Sequence, residues 1–101
     1  TASEAVLLIN REKAVVIDVC EPTEYANAHI VGAKNIPLSR LEGQLAATVK
    51  NKETPVILTC ASGMRSRRAV GIAKKLGYEK AQSLSGGLGA WRSANLPIEK
   101  A

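Results

Sequence analysis

Two kinds of hydrophobic segment alternate along the chain. Val15-Val16-Ile17-Asp18-Val19 and Pro55-Val56-Ile57-Leu58-Thr59-Cys60 are short, nearly unbroken apolar runs rich in β-branched residues. Continuous rather than alternating hydrophobicity over so few residues predicts parallel strands covered on both faces. Between and around them the apolar positions fall at helical spacing. Thr1 and Glu4 form a capping-box pattern ahead of Ala5, Leu8 and Ile9, which predicts a helix to about Asn10. Pro22 opens a second short helix, Thr23 to about His29, which Gly32 breaks. Lys34 to Pro37 reads as a short peripheral strand ended by its proline. Ser39 is placed to cap a helix carrying Leu41, Leu45 and Val49, and Lys50 to Thr54 is a polar surface loop. Five residues after Cys60 a longer helix begins. Ala69, Ile72, Ala73 and Leu76 mark its buried stripe, Arg68, Lys74 and Lys75 face outward, and Gly77 stops it. Ala81 to Leu84 is a last strand, Gly86-Gly87 turns into a short helix around Ala90 and Trp91, and Pro97 marks the tail. Strands alternating with helices predict an α/β layered fold on a parallel sheet, with one domain over residues 1–101.

Composition narrows the picture. The chain is 46% hydrophobic and 23% charged, as in ordinary globular proteins, but it has no Phe and one Trp, so the core must be aliphatic. No apolar run approaches the roughly 20 residues of a membrane helix, and no signal-peptide pattern is present. A cytoplasmic, reducing location is the expectation, with a membrane tether in its place if a segment before Thr1 was removed. Two cysteines make no disulfide framework, and Cys20, His29 and Cys60 lack metal-ligand spacing, so no metal site is expected. The net charge of +5, from 14 basic and 9 acidic residues, suits solubility. Without a basic stripe or interleaved aromatics, nucleic acid is not expected as a partner. Arg65, Arg67 and Arg68 instead gather just after Cys60, where they would focus positive potential on a small anion.

Cys60 carries the candidate chemistry. It ends a buried parallel strand, the edge at which open α/β sheets bind their ligands. Ala61, Ser62, Gly63, Met64 and Arg65 follow, and a helix opens directly after. Small residues and a glycine let the backbone curl, so that successive N–H groups form an anion-binding nest. The helix N-terminus adds partial positive charge from the same side. A thiol held there is expected to be largely thiolate near neutral pH. Arg65 adds a planar fork suited to an oxyanion.

Over nearly its whole length the chain resembles a single-domain rhodanese. The matching pieces, in order, are Val16-Ile17-Asp18-Val19, Glu21-Pro22-Thr23-Glu24-Tyr25, and Ala28-His29-Ile30-Val31-Gly32-Ala33-Lys34-Asn35-Ile36-Pro37. The loop Cys60-Ala61-Ser62-Gly63-Met64-Arg65-Ser66, then Ser85-Gly86-Gly87 and Ala90-Trp91, complete the match. The resemblance implies a rhodanese-like α/β fold, a small parallel sheet of four or five strands with helices on both faces. It implies a thiosulfate-type sulfurtransferase in which Cys60 takes the outer sulfur of thiosulfate as a persulfide, releases sulfite, and passes the sulfur to cyanide or a thiol. Ala61 to Arg65 would bind the donor, Asp18 and Ser66 would support the loop, and no metal or organic cofactor is implied. A persulfide carrier or regulatory module acting only with a protein partner shares the same loop and stays open. A monomer is expected.

The dual-specificity phosphatases, which use a related loop, separate cysteine and arginine by five residues. Here four intervene, and Ser66 stands where their arginine would be. The shorter loop suits sulfur rather than a tetrahedral phosphate. Asp18 reads as a paired carboxylate bracing the loops, His29 as structural, Trp91 as a core anchor, and Tyr25 as packing its helix. Two departures from the family pattern stand out. Cys20 occupies a position where many relatives have arginine, so the expected Asp–Arg brace is missing. Relatives also commonly begin with a short strand before the first helix, for which Thr1 starts too late, so about four strands are expected unless a segment before Thr1 was removed. Cys20 and Cys60 both fall at strand ends that the rhodanese arrangement makes neighbours, which marks Cys20 as a possible second thiol.

Overall fold

A computed structural model describes residues 1–100. Helix α1 spans Ala2–Glu12, two residues longer than its spacing predicts, and Lys13 closes it in the left-handed conformation. Its capping box is formed, with the Glu4 N–H donating to Thr1 Oγ1 at 3.2 Å. Strand β1 is Val15–Asp18, α2 is Pro22–Asn27, β2 is His29–Ile30 and β3 is Lys34–Asn35. A tight 3-10 turn at Leu38–Arg40 leads into α3, Leu41–Thr48. Then come β4 (Val56–Thr59), α4 (Met64–Lys75), β5 (Ala81–Ser83), α5 (Gly87–Ser93) and β6 (Ile98–Glu99).

The main sheet has four strands in the order β3-β1-β4-β5, all parallel. Central β1 and β4 run level, from Val15 opposite Val56 to Asp18 opposite Thr59. Their residues alternate between two cores. Ile17, Val56 and Leu58 join Leu41, Leu45, Ala69, Ala73 and Tyr78 under α3 and α4. Val16 and Ile57 join Ala5, Ile30, Leu84 and Trp91 against α1 and α5. Helices therefore cover both faces, as a parallel sheet requires. Gly77 follows α4 with φ +103°, the left-handed stop anticipated from its position.

Three local expectations are corrected. Ser39 does not cap α3: it lies inside the 3-10 turn, and α3 starts from Arg40 without a side-chain cap. Helix α2 ends at Asn27 rather than near His29, because His29 and Ile30 pair antiparallel with Glu99 and Ile98. That two-stranded ribbon joins segments about seventy residues apart, a partnership no local signal announces. Helix α4 begins at Met64, so Arg65 stands in its first turn rather than at the end of a loop. Among the described residues no helix is long and apolar enough to cross a membrane.

Candidate active site

Cys60 follows the last residue of β4 and is almost fully buried. Three residues, Ala61 to Gly63, reverse the chain into α4, and Gly63 does so at φ +101°. Few other residues tolerate that conformation, and a Cβ there would also press on the Gly86 backbone nitrogen at 3.3 Å. The curl aims the Gly63 N–H at the thiol, donating to Cys60 Sγ at 3.1 Å. The Cys60 thiol in turn donates to Ser66 Oγ, one turn into α4, at 3.7 Å. Ser66 is fully buried; it donates to the Gly63 carbonyl at 3.1 Å and shares a 2.7 Å hydrogen bond with Ser83 Oγ at the end of β5.

Opposing influences act on this thiol. Burial pushes its pKa up. The Ser66 backbone N–H and hydroxyl, with the N–H groups of Gly63 and Ser62, pull it down by a larger amount, and the net shift is below the ordinary thiol value. The curled turn thus brings the Gly63 N–H onto the sulfur, and Ser66 touches the thiol directly rather than supporting it from a distance.

The loop is fastened from below by α5. The Leu88 N–H donates to the Cys60 carbonyl at 2.8 Å, and the Gly89 N–H donates to the Ala61 carbonyl at 3.3 Å. So close an approach needs Gly87, where a Cβ would lie 2.2 Å from the Cys60 oxygen and where φ is +57°. The physical content of the Ser85-Gly86-Gly87 motif is thus contact with the thiol-bearing peptide.

The structure places Arg65 and Met64 differently from the sequence reading. The Arg65 fork is not turned into the loop. Its Nη1 and Nη2 donate to the two carboxylate oxygens of Glu24 on α2, at 2.6 and 3.0 Å. Glu24 also accepts from the Glu21 N–H at 3.0 Å, and these hydrogen bonds, Arg65's first, hold its carboxyl down at about 2. Met64 carries its side chain into solvent, 75% exposed, so it lines no donor site in this conformation. Ala61 and Ser62 are exposed at the turn.

Asp18 is buried at the end of β1, and burial pushes its carboxyl up. Its Oδ1 accepts the Cys20 N–H at 2.9 Å. The turn it braces is closed by Asn35 on β3, whose Nδ2 donates to the Asp18 and Cys20 carbonyls, each at 3.0 Å. An amide from the neighbouring strand thus stabilises the turn that, with Cys20 in place of the family's arginine, lacks an Asp–Arg brace. Cys20 is buried, and burial, followed by the adjacent Asp18 charge, pushes its thiol up to about 12. Cys20, Cys60, Asp18, Glu24, Ala61 and Leu88 line one pocket of about 230 Å³. A second hollow, about 490 Å³, is lined by Val19, Leu38, Ser39, Arg65 and Arg68. The Glu24–Arg65 pair links the two.

His29 is structural. Its ring stacks on Tyr25 with centroids 3.7 Å apart, and its nitrogens face the Tyr25 carbonyl and the Glu99 carboxylate at 2.7 and 3.2 Å. Tyr25 donates to the Ala33 carbonyl, and Trp91 is a core residue whose Nε1–H donates to the Pro97 carbonyl at 2.8 Å. Among the described residues no three potential ligands gather as a metal site. The sequence reading assigned no role to Glu24, Asn35, Ser83 or Leu88. Glu24 alone carried a local signal, as the third residue of a helix opened by Pro22.

The rhodanese-like domain model matches residues 1–94. The chain is 32% identical over 99 residues to the uncharacterized protein YibN of Escherichia coli strain K12, covering 97% of this chain and 69% of that one. Among solved structures it superposes on a thiosulfate sulfurtransferase from Pseudomonas aeruginosa with a TM-score of 0.86 and 33% identity, covering 94% of this chain and 18% of that one. A rhodanese with anions from E. coli gives a TM-score of 0.76 and 32% identity, covering 87% of this chain and 99% of that one. With its parallel four-stranded sheet, helices on both faces and a thiol at the end of a central strand, the chain belongs to the rhodanese-like family, whose sulfurtransferases it resembles in sequence and fold.

Proposed function

We propose that this protein is a sulfurtransferase that moves sulfane sulfur from thiosulfate, or a similar anionic donor, to a thiophilic acceptor through a Cys60 persulfide. The observation that carries the reading is the Gly63 N–H set 3.1 Å from Cys60 Sγ, with the Ser66 hydroxyl and further loop amides acting on the same atom. Once the thiol ionises, the Ser66 hydroxyl that accepted its hydrogen bond can turn to donate alongside the amides, and the thiolate so stabilised attacks the outer sulfur of thiosulfate. The sulfur–sulfur bond of the donor breaks, its electron pair leaves with sulfite, and a Cys60 persulfide anion remains. Cyanide or a thiolate then takes the outer sulfur and returns Cys60 as thiolate. The same amides that hold the thiolate face the negative charge of the persulfide. Arg65, whose fork is held on Glu24, serves the donor only when the donor's oxygens replace that carboxylate.

A second reading, delivery of sulfur to a protein, is favoured by Met64. This long apolar side chain is 75% exposed beside the loop, with exposed Arg67 and Arg68 on the same helix, and such a rim suits a protein surface better than cyanide. Intact-mass measurement after thiosulfate treatment tests the central step. One sulfur atom should be gained, should map to Cys60, and should be removed by cyanide. A protein that stays at its starting mass overturns the proposal. Turnover with small acceptors would then separate an enzyme acting alone from a carrier that waits for its partner.

A further inference from the structure

We propose that Cys20 is a resolving thiol: when no acceptor takes the sulfur, it discharges the Cys60 persulfide as hydrosulfide and leaves a Cys20–Cys60 disulfide. The inference rests on the sulfurtransferase reading and adds to it a second outlet, in which thiosulfate is reduced to sulfite and sulfide.

The geometry that points to it is the sheet register. Asp18 and Thr59 are partners on neighbouring strands, and the pairing continues one step, the Val19 N–H donating to the Thr59 carbonyl at 2.9 Å. Cys60 therefore stands level with Val19, and Cys20 is one residue farther on. Both residues lie just past the ends of these adjacent strands, which run about 5 Å apart, and the bend at Cys20 returns it to the buried cluster that holds Cys60. Both sulfurs are free thiols, both residues line the same 230 Å³ pocket, and the Arg65 guanidinium acts on both. Nothing in the transfer reaction itself uses Cys20.

The step balances without an external oxidant. Cys20 Sγ attacks Cys60 Sγ, and the bond from Cys60 to the outer sulfur breaks. The electron pair leaves on that sulfur, which takes up the Cys20 proton and departs as hydrosulfide. The sulfane sulfur gains two electrons, and each cysteine gives up one. Asp18, whose carboxylate neighbours the Cys20 thiol, is the group placed to accept the proton and pass it on. Burial and that same carboxylate keep Cys20 protonated near neutral pH, so the attack is slow beside transfer to a good acceptor. A thiol reductant would reopen the disulfide and complete the cycle.

The experiment loads the full chain with sodium thiosulfate, without acceptor or reductant, and follows three quantities: intact mass, released hydrosulfide, and peptides linked through Cys20 and Cys60. Wild type should first gain one sulfur, then lose it together with two hydrogens while hydrosulfide appears and the linked peptide pair forms. Cys20→Ser and Cys20→Ala should gain the sulfur and hold it, with hydrosulfide release at least about tenfold slower. Persulfide that persists in wild type as long as in both variants, with Cys20 unlinked, overturns the proposal and leaves the sulfurtransferase reading standing. Failure of wild type and both variants to gain sulfur overturns both. The wild-type linked-peptide measurement decides the matter even if a Cys20 variant does not fold.

Discussion

Glu24 holds the Arg65 guanidinium by both ends, across 41 residues of sequence, at the rim of the pocket that contains Cys60. The fork that an anionic donor would be expected to engage is already engaged. Any donor that binds Arg65 directly must displace a carboxylate whose pKa is held at about 2. Replacing Glu24 should therefore favour the donor. Glu24→Gln should lower the Michaelis constant for thiosulfate several-fold, whereas Arg65→Ala should raise it and Arg65→Lys should restore only part. Steady-state kinetics on the three variants checks this, and an unchanged constant in Glu24→Gln would show that the donor is held by backbone amides alone.

Because the folded-state pKa of Glu24 lies below its ordinary carboxylate value, the pair's contribution is fully present above pH ~4.5. It is lost as the pH falls through that value toward about 2. Both groups are partly exposed, so the energetic effect is small. Titration of Glu24 should leave no inflection in the thiosulfate Michaelis constant between pH 5 and 9. An inflection in that window that disappears in Glu24→Gln would contradict the assignment.

The two thiols should differ sharply in reactivity. Loop hydrogen bonds outweigh burial at Cys60 and lower its pKa, while burial and Asp18 push Cys20 up to about 12. Alkylation should modify Cys60 first, and its rate should rise with pH to a plateau below the ordinary thiol value. Cys60→Ser should abolish turnover. Ser66→Ala should shift the alkylation profile to higher pH, since it removes a hydroxyl that stabilises the thiolate. A profile unmoved in Ser66→Ala would assign the whole effect to the backbone.

Gly87 should be intolerant of substitution. An added Cβ would meet the Cys60 oxygen at 2.2 Å and the Ala61 oxygen at 2.9 Å, at a backbone φ of +57°. Gly87→Ala must therefore push the thiol-bearing loop upward. Strain and displacement together should cost about 1–3 kcal/mol of stability. Turnover should fall more than stability, since misplacement by about 1 Å near the reacting atom costs roughly a hundredfold. Denaturant unfolding and kinetics on one sample separate the two effects, and wild-type kinetics in Gly87→Ala would disconnect α5 from the site.

The loop should serve phosphate poorly. Only three residues separate Cys60 from α4, and the arginine fork faces Glu24. Too few donors remain for a phosphoryl transition state. An aryl phosphate offered near neutral pH should give no release above the Cys60→Ser background, and clear Cys60-dependent release would reverse the loop-length argument.

Much of this molecule was legible in the chain because much of it depends only on near neighbours. The unbroken runs at Val15 and Val56 became the two central strands, Thr1 and Glu4 closed their capping box, and Gly77 stopped α4. Cys60, a small turn and Gly63 at a helix start define a thiol nest within seven residues, so local spacing was enough to find it. What escaped the sequence was how particular side chains meet between segments. The capture of Arg65 by Glu24, the closing of the Cys20 turn by Asn35, and the pairing of His29 with Glu99 each join segments far apart in the chain. Local periodicity states which face of an element is buried. The partner that face meets depends on strand order and register, and on which side chains those bring within hydrogen-bond reach. The order β3-β1-β4-β5 sets Cys20 and Cys60 at neighbouring strand ends, as the family resemblance implied, but that they line one pocket and that Glu24 takes Arg65 only tertiary packing could decide.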